Sequence, residues 1–134
     1  KLLFEFVRIV RETLPEGFVL ENVKGLTNWD NGRALKLLIE ELAKPIEHGG
    51  SIYRYQIASP ELLDAVNYGV PQFRERLILV GNRIGKNFEY PRPSATPYTT
   101  VWDAIGNLPD PDEPSETARR VAGCIKDRIE KYGY

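Results

Sequence analysis

Two arginines, Arg74 and Arg76, stand where the loop Asn67-Tyr68-Gly69-Val70-Pro71-Gln72-Phe73 runs into the apolar stretch Leu77-Ile78-Leu79-Val80-Gly81. Successive side chains of a strand alternate between its faces, so Gln72, Arg74 and Arg76 can share one side. Planar or forked donors at a strand mouth suit phosphate oxygens or the oxygens of a base edge. The plainer reading of an isolated Arg-x-Arg is a strand that opens on surface charge. Glu21 is the second candidate. It directly follows the apolar run Phe18-Val19-Leu20, and ligands of open α/β sheets bind off the carboxyl ends of strands. Partial desolvation there favours a protonated carboxyl. Such a group can donate to a ring nitrogen while its other oxygen accepts from an amine. The plainer alternative is a surface or capping glutamate.

The remaining reactive side chains point to less. His48, the single histidine, lies in a polar Glu-His-Gly-Gly loop, and one histidine without cysteines makes no zinc site. Cys124 sits in a helical pattern and reads as a small packing residue. The stretch Gly81 to Lys86 lacks the spacing of a phosphate loop. Arg119, Arg120, Lys126 and Arg128 read as a solvated helix face, with a DNA backbone contact as the alternative.

These residues must be positioned by an α/β arrangement. Leu3, Phe6, Val7, Val10 and Leu14 recur at helical spacing, so residues 1–14 are expected to form an amphipathic helix, stopped by Pro15 and Gly17. Phe18 to Leu20 is a short buried strand ending at Glu21-Asn22-Val23. Residues 24–32 form a polar loop. Leu35, Leu38, Ile39 and Leu42 mark a second helix, with Asp30 or Asn31 as its expected N-cap. Ser51 to Ala58 reads as one strand. Ser59-Pro60-Glu61 is expected to open a short helix, with serine at the cap and proline at the first helical position. Leu77 to Gly81, apolar on both faces, is expected to be a central strand. The order amounts to about half of a doubly wound sheet: three strands with flanking helices. Prolines 91, 93, 97, 109, 111 and 114 mark a connector that packs through Val101, Trp102, Ile105 and Leu108. Residues 115–132 return to helical spacing.

A net charge of −1 gives no global pull toward nucleic acid or membrane, so any anion site must be local. The single cysteine excludes an internal disulfide and fits a reducing cytoplasm. No apolar run approaches the roughly 20 residues that span a bilayer. The chain holds no methionine and opens inside a helical pattern. It is therefore expected to be a piece of a longer protein, and its open sheet edges make a non-native dimer a further expectation.

Phe18-Val19-Leu20-Glu21-Asn22-Val23, together with Asp64-Ala65-Val66-Asn67-Tyr68-Gly69-Val70-Pro71-Gln72-Phe73-Arg74-Glu75-Arg76, resembles the cytosine-C5 DNA methyltransferase family. That family carries Glu-Asn-Val at the end of one strand, and Gln-x-Arg-x-Arg after a Tyr-Gly-x-Pro turn at the mouth of another. The helix from Leu2 to Arg11 resembles the one that precedes Glu-Asn-Val. The resemblance covers 1–88 well and fades after about 89, although Val101 to Pro109 resembles a stretch common there.

The resemblance implies a partial Rossmann-like, class I methyltransferase sheet, with residues 1–88 as the second half of the catalytic domain. Residues 89–114 would be a proline-rich acidic connector, and 115–134 the helical start of a target-recognition region. It implies transfer of a methyl group from S-adenosylmethionine to C5 of a cytosine flipped out of double-stranded DNA. Glu21 would hold N3 and the exocyclic amine. Arg76 would donate to O2 and help hold the charged adduct. Arg74 would contact backbone phosphate or brace the catalytic loop. Asn22 would order the turn after its strand, with Val23, Pro71 and Gln72 completing the motifs, and Leu2 is the one cofactor contact implied here. The family's Pro-Cys nucleophile and glycine-rich cofactor loop lie upstream, and neither motif occurs in these residues. The isolated chain is therefore expected to be inactive without that upstream half. A tRNA cytosine-5 methyltransferase and a non-catalytic nucleic-acid-binding module are the alternatives. The class of protein implied is bacterial and cytoplasmic.

Overall fold

The computed structural model describes residues 2–94, 97–108 and 115–132. The chain divides into two compact units, 1–99 and 100–134.

The first unit opens with helix α1 (Leu2–Thr13), followed by strand β1 (Gly17–Val23) and helix α2 (Arg33–Ala43). Short strands β2 (Ile46–His48), β3 (Ser51–Tyr53), β4 (Gln56–Ile57) and β5 (Glu61–Asp64) come next, and strand β6 (Glu75–Asn82) closes the sheet. The α/β class follows the sequence reading, with one more strand in the sheet. β6 is central, as its apolar run requires. It pairs with β1 along one edge and with β4 and β5 along the other. All of these pairs are antiparallel, unlike the parallel neighbours of a doubly wound half.

The pleat sorts the sheet into two faces. Phe18, Leu20, Leu79 and Ile57 face α1 and α2, where Val7, Val10, Leu38, Leu42, Ile46 and Tyr55 complete the core. Leu38, Leu42 and Leu79 are its most deeply buried side chains. Val19, Glu21 and Val23 alternate onto the opposite face and are exposed. Gly81 is needed between Phe18 and Ile57. A Cβ there would meet the Phe18 ring and stand 2.9 Å from Ile57 Cδ1.

α1 stops at Leu14, whose φ of +46° is left-handed without the freedom of glycine. Arg83, just past β6, offsets this. Its Nε donates to the carbonyls of Leu14 and Pro15, both at 3.1 Å, and Nη2 donates to Leu14 O at 3.0 Å. The Tyr55 hydroxyl donates to Pro15 O at 2.6 Å, and burial pushes that phenol's pKa up.

Three local expectations are corrected. The N-cap of α2 is Gly32, not Asp30 or Asn31. All three have positive φ, and no side chain caps the helix. Residues 51–58 are not one strand. Ser51–Tyr53 pairs with Ile46–His48 in a separate hairpin, while Gln56–Ile57 joins the main sheet. Gly49 and Gly50 make the hairpin turn with φ of +58° and +76°, the conformation that a two-residue loop favours. Ser59-Pro60-Glu61 opens no helix. Glu61–Asp64 is drawn into the sheet opposite Ile78–Glu75, and a 3₁₀ turn follows only at Ala65–Tyr68.

The second unit holds α3 (Val101–Ile105) and α4 (Glu116–Tyr132). Thr100 and Asp103 form a capping box, and the Thr100 hydrogen bonds hold the Asp103 carboxyl below its usual pKa. The Ser115 hydroxyl accepts from Ala118 N at 3.2 Å at the start of α4. The expected packing of Val101, Trp102, Ile105 and Leu108 is not seen, since all four are exposed. Cys124 is likewise exposed rather than packed. No helix among the described residues is long and apolar enough to cross a membrane.

Candidate functional site

β6 begins at Glu75, so of the three donors expected to share a strand face only Arg76 lies within the strand. Gln72 and Arg74 precede it in an exposed loop. Arg76 stands opposite Val23, and Glu21 opposite Ile78. Arg76 and Glu21 are thus diagonal neighbours on the face turned away from the helices. Arg76 Nε lies 2.7 Å from Glu21 Oε1. Its Nη1 donates to the neighbouring Glu75 carbonyl at 2.8 Å, which orients the guanidinium. The Arg76 side chain is 24% exposed and that of Glu21 54%. Glu21 sits inside β1, not beyond its end, and the partial burial expected of its carboxyl is absent.

Glu75 lies between the two arginines in sequence. Its side chain is taken by Lys24, at 2.7 Å from Oε2 and 3.0 Å from Oε1. Because it alternates to the opposite side of the strand from Arg76, its charge does not compete with Glu21. Among the described residues the Arg74 side chain has no ion-pair partner.

The loop that delivers the arginines is closed by Asp64, a residue outside the expected site. Its Oδ1 accepts from Arg74 N at 2.7 Å and from Val66 N at 3.4 Å. Ala65 N donates to Arg74 O at 3.1 Å. One carboxylate therefore caps the 3₁₀ turn and holds the chain where it re-enters the sheet. The N-cap rule applied to Asp64-Ala65-Val66 could have found it. Gly69 ends the turn with φ +82°, and around Pro71 the Gln72 amide donates to Val70 O at 2.7 Å. Asp64→Ala removes a cap and a second amide acceptor. It is expected to cost about 1–2 kcal/mol, with Asp64→Asn costing less. Urea denaturation of the two variants measures this, and equal stability of Asp64→Ala and wild type would contradict it.

Asn22 acts locally, its Oδ1 accepting from Val23 N at 2.8 Å. Leu2 is 84% exposed and lines a cleft of about 350 Å³ with Leu3, Asn22, Val23, Gly25, Leu26 and Trp29. The structure thus brings Glu21 and Arg76 into contact, and Leu2 shares a cleft with Asn22 and Val23. His48 is exposed at the end of β2. No group of three or more histidine, cysteine or acidic side chains suited to a metal occurs among the described residues.

A forked donor beside a carboxylate offers one donor and one acceptor surface on the face turned away from α1 and α2. That suits a planar ring with a carbonyl oxygen and an amidine-like edge.

Comparison with known proteins shows the family of the chain. The model of the C-5 cytosine-specific DNA methylase family matches residues 1–131. The Type II methyltransferase M.AquIA of Picosynechococcus sp. is 46% identical across 99% of this chain and 60% of its own length. The Type II methyltransferase M.XorII of Xanthomonas oryzae pv. oryzae is 44% identical across 82% of this chain and 24% of its own. The chain therefore spans less than two thirds of either relative. A crystal structure described as a DNA modification methyltransferase encoded within an E. coli prophage superposes with a TM-score of 0.60 at 26% identity. It covers 78% of this chain and 29% of that one. The mixture of helices and strands is consistent with a class I methyltransferase-like α/β fold, and the chain belongs to the C-5 cytosine-specific DNA methylase family.

Proposed function

We propose that this chain supplies the cytosine-holding wall of a DNA cytosine-C5 methyltransferase that uses S-adenosylmethionine. The observation that carries the reading is the Arg76–Glu21 pair, joined across two strands at 2.7 Å on the face turned away from α1 and α2. In the resting site the two side chains satisfy each other. An exposed ion pair of this kind is worth no more than about 1 kcal/mol, so a substrate can replace it cheaply. A flipped cytosine then takes both partners. Glu21 holds the N3 proton and accepts from the exocyclic amine, while Arg76 donates to O2. Negative charge on the ring grows as a nucleophile adds at C6, so both contacts strengthen along the reaction. Arg74, with no ion-pair partner among the described residues, meets a backbone phosphate.

Bound S-adenosylmethionine would supply an electrophilic methyl group. The cleft beside Leu2 and Trp29 is apolar enough to form one wall for it, but a glycine-rich loop is not among these residues. Residues 1–88 serve here as part of the catalytic domain, 89–114 as connector and 115–134 as the start of the target-recognition region. The Pro-Cys nucleophile and cofactor loop come from outside this sequence, in a bacterial, cytoplasmic setting. Taken alone, the chain does not methylate, and the edge of β1 away from β6, unpaired among the described residues, invites a non-native dimer.

The test joins this chain to a segment bearing the Pro-Cys and cofactor motifs and assays methylation of duplex DNA. The chain alone is expected to give none, and the joined protein to give C5-methylcytosine. Glu21→Gln keeps the shape of the side chain but is expected to reduce the rate at least about 10²-fold. An unchanged rate in Glu21→Gln, or methyl transfer by the chain alone, would remove this reading.

A further inference from the structure

Three sets of aromatic side chains meet in the first unit, and two have structural roles. Phe6, Phe18 and Tyr55 belong to the core. Phe88 and Tyr90 meet at 5.0 Å, with the Tyr90 hydroxyl donating to Ile78 O. The third pair, Phe73 and Tyr98, supports nothing. Phe73 is 79% exposed and Tyr98 49% exposed, and their rings meet edge to face with centroids 6.2 Å apart. An edge-to-face contact leaves one ring with a free face.

The position of this pair gives it meaning. Phe73 lies between Gln72 and Arg74 in the exposed loop before β6, and Arg74 has no ion-pair partner among the described residues. The neighbouring acids are already engaged, Glu75 by Lys24 and Asp64 by two backbone amides. The loop thus presents an open aromatic ring next to a free guanidinium. Aromatic faces interleaved with positive charge are how proteins hold single-stranded or extruded nucleic acid, the ring stacking on a base and the charge tracking the backbone.

We propose that Phe73 and Tyr98 form a stacking platform for a DNA strand beside the target cytosine. A base or its sugar lies on the Phe73 ring, and Arg74 takes the adjacent phosphate. The proposal rests on the reading of Glu21 and Arg76 given above, and adds to it a contact that is insensitive to base identity.

The test uses fluorescence anisotropy of the protein with a fluorescein-labelled, mixed-sequence oligodeoxynucleotide, single-stranded and duplex, across a salt series. Phe73→Ala is expected to weaken binding about 5- to 150-fold, the range for losing one stacked base, and to leave the salt slope unchanged. Phe73→Leu keeps the apolar bulk without the π face and should behave like Phe73→Ala, while Phe73→Trp should stay within about twofold of wild type. Arg74→Ala should lower the salt slope by about one instead. The same oligonucleotide carrying 5-iodo-deoxyuridine should photocrosslink to Phe73 or Tyr98, mapped by mass spectrometry. Wild-type binding by Phe73→Ala or Phe73→Leu, with Arg74→Ala still impaired, overturns the platform and leaves the functional reading standing. A larger Phe73→Ala effect on RNA of the same sequence than on DNA overturns the choice of strand. Failure of the wild type to bind DNA overturns the platform and the functional reading together.

Discussion

Replacing Arg76 with alanine in the protein that carries the complete catalytic centre is expected to lower methyl transfer about 10²- to 10³-fold, the usual cost of losing one charge-stabilising donor, with almost no loss of stability. The two effects separate because of where Arg76 sits. Among the described residues its only ion pair is with Glu21, on an open face, and exposed pairs contribute no more than about 1 kcal/mol. Its guanidinium also satisfies the Glu75 carbonyl, which solvent can replace. In the proposed reaction it meets an oxygen whose charge grows as the adduct forms, so the loss falls on kcat more than on KM. Arg76→Lys keeps the charge but loses the planar fork, and should recover only part of the rate. Kinetics with a radiolabelled methyl donor, beside thermal melts of the same variants, check this. A variant that loses activity only in proportion to its folded fraction would show that Arg76 is structural.

The opposite pattern is expected at Leu79, where alanine should cost about 3–4 kcal/mol of stability and leave the chemistry of the folded protein intact. Leu79 is fully buried in the middle of the central strand, opposite Leu20 and within the cluster formed with Val7, Val10, Leu38 and Leu42. Removing its isobutyl group leaves a cavity bounded by two helices and a sheet, which relaxes poorly. Against a total stability of roughly 5–15 kcal/mol, this is a large fraction. Urea denaturation followed at the first unit checks it, with Val19→Ala as the control on the open face of β1. Equal midpoints for the two variants would contradict the packing described here.

What could be read from the sequence divides by the range of the forces involved. α1, α2 and α4 were legible because their apolar spacing is local and strong. The central strand was legible because few environments accept Leu77-Ile78-Leu79-Val80-Gly81 other than the middle of a sheet. The Glu21–Arg76 contact was approached through a family resemblance, as no spacing rule links residues so far apart. The errors arose where tertiary pairing overrode a local signal. Ser59-Pro60-Glu61 has the chemistry of a helix start, but Leu62 and Leu63 gain more by pairing with Leu77 and Arg76 on β6. The β-forming residues of 51–58 were real, but Gly49-Gly50 folds the first of them back onto Ile46–His48. Asp30 and Asn31 were plausible caps until three successive left-handed residues gave the capping position to Gly32. Partial burial of Glu21 was inferred from its place at the carboxyl end of an apolar strand, yet β1 continues to Val23 and alternation along it turns Glu21 outward.

The antiparallel pairing of β1 with β6 also acts as a proofreading device. Leu20 and Leu79 face the helices, while Glu21, one residue after Leu20, and Arg76, three residues before Leu79, lie on the other face of the same two strands. A slip of one strand by a single residue would drive a charged side chain under α1 and α2 and bring a leucine out into water. The residues assigned to cytosine therefore also penalise every misaligned sheet. Insertions in the long stretch between the strands leave this alignment alone, whereas a single residue added inside either strand would invert core and site together.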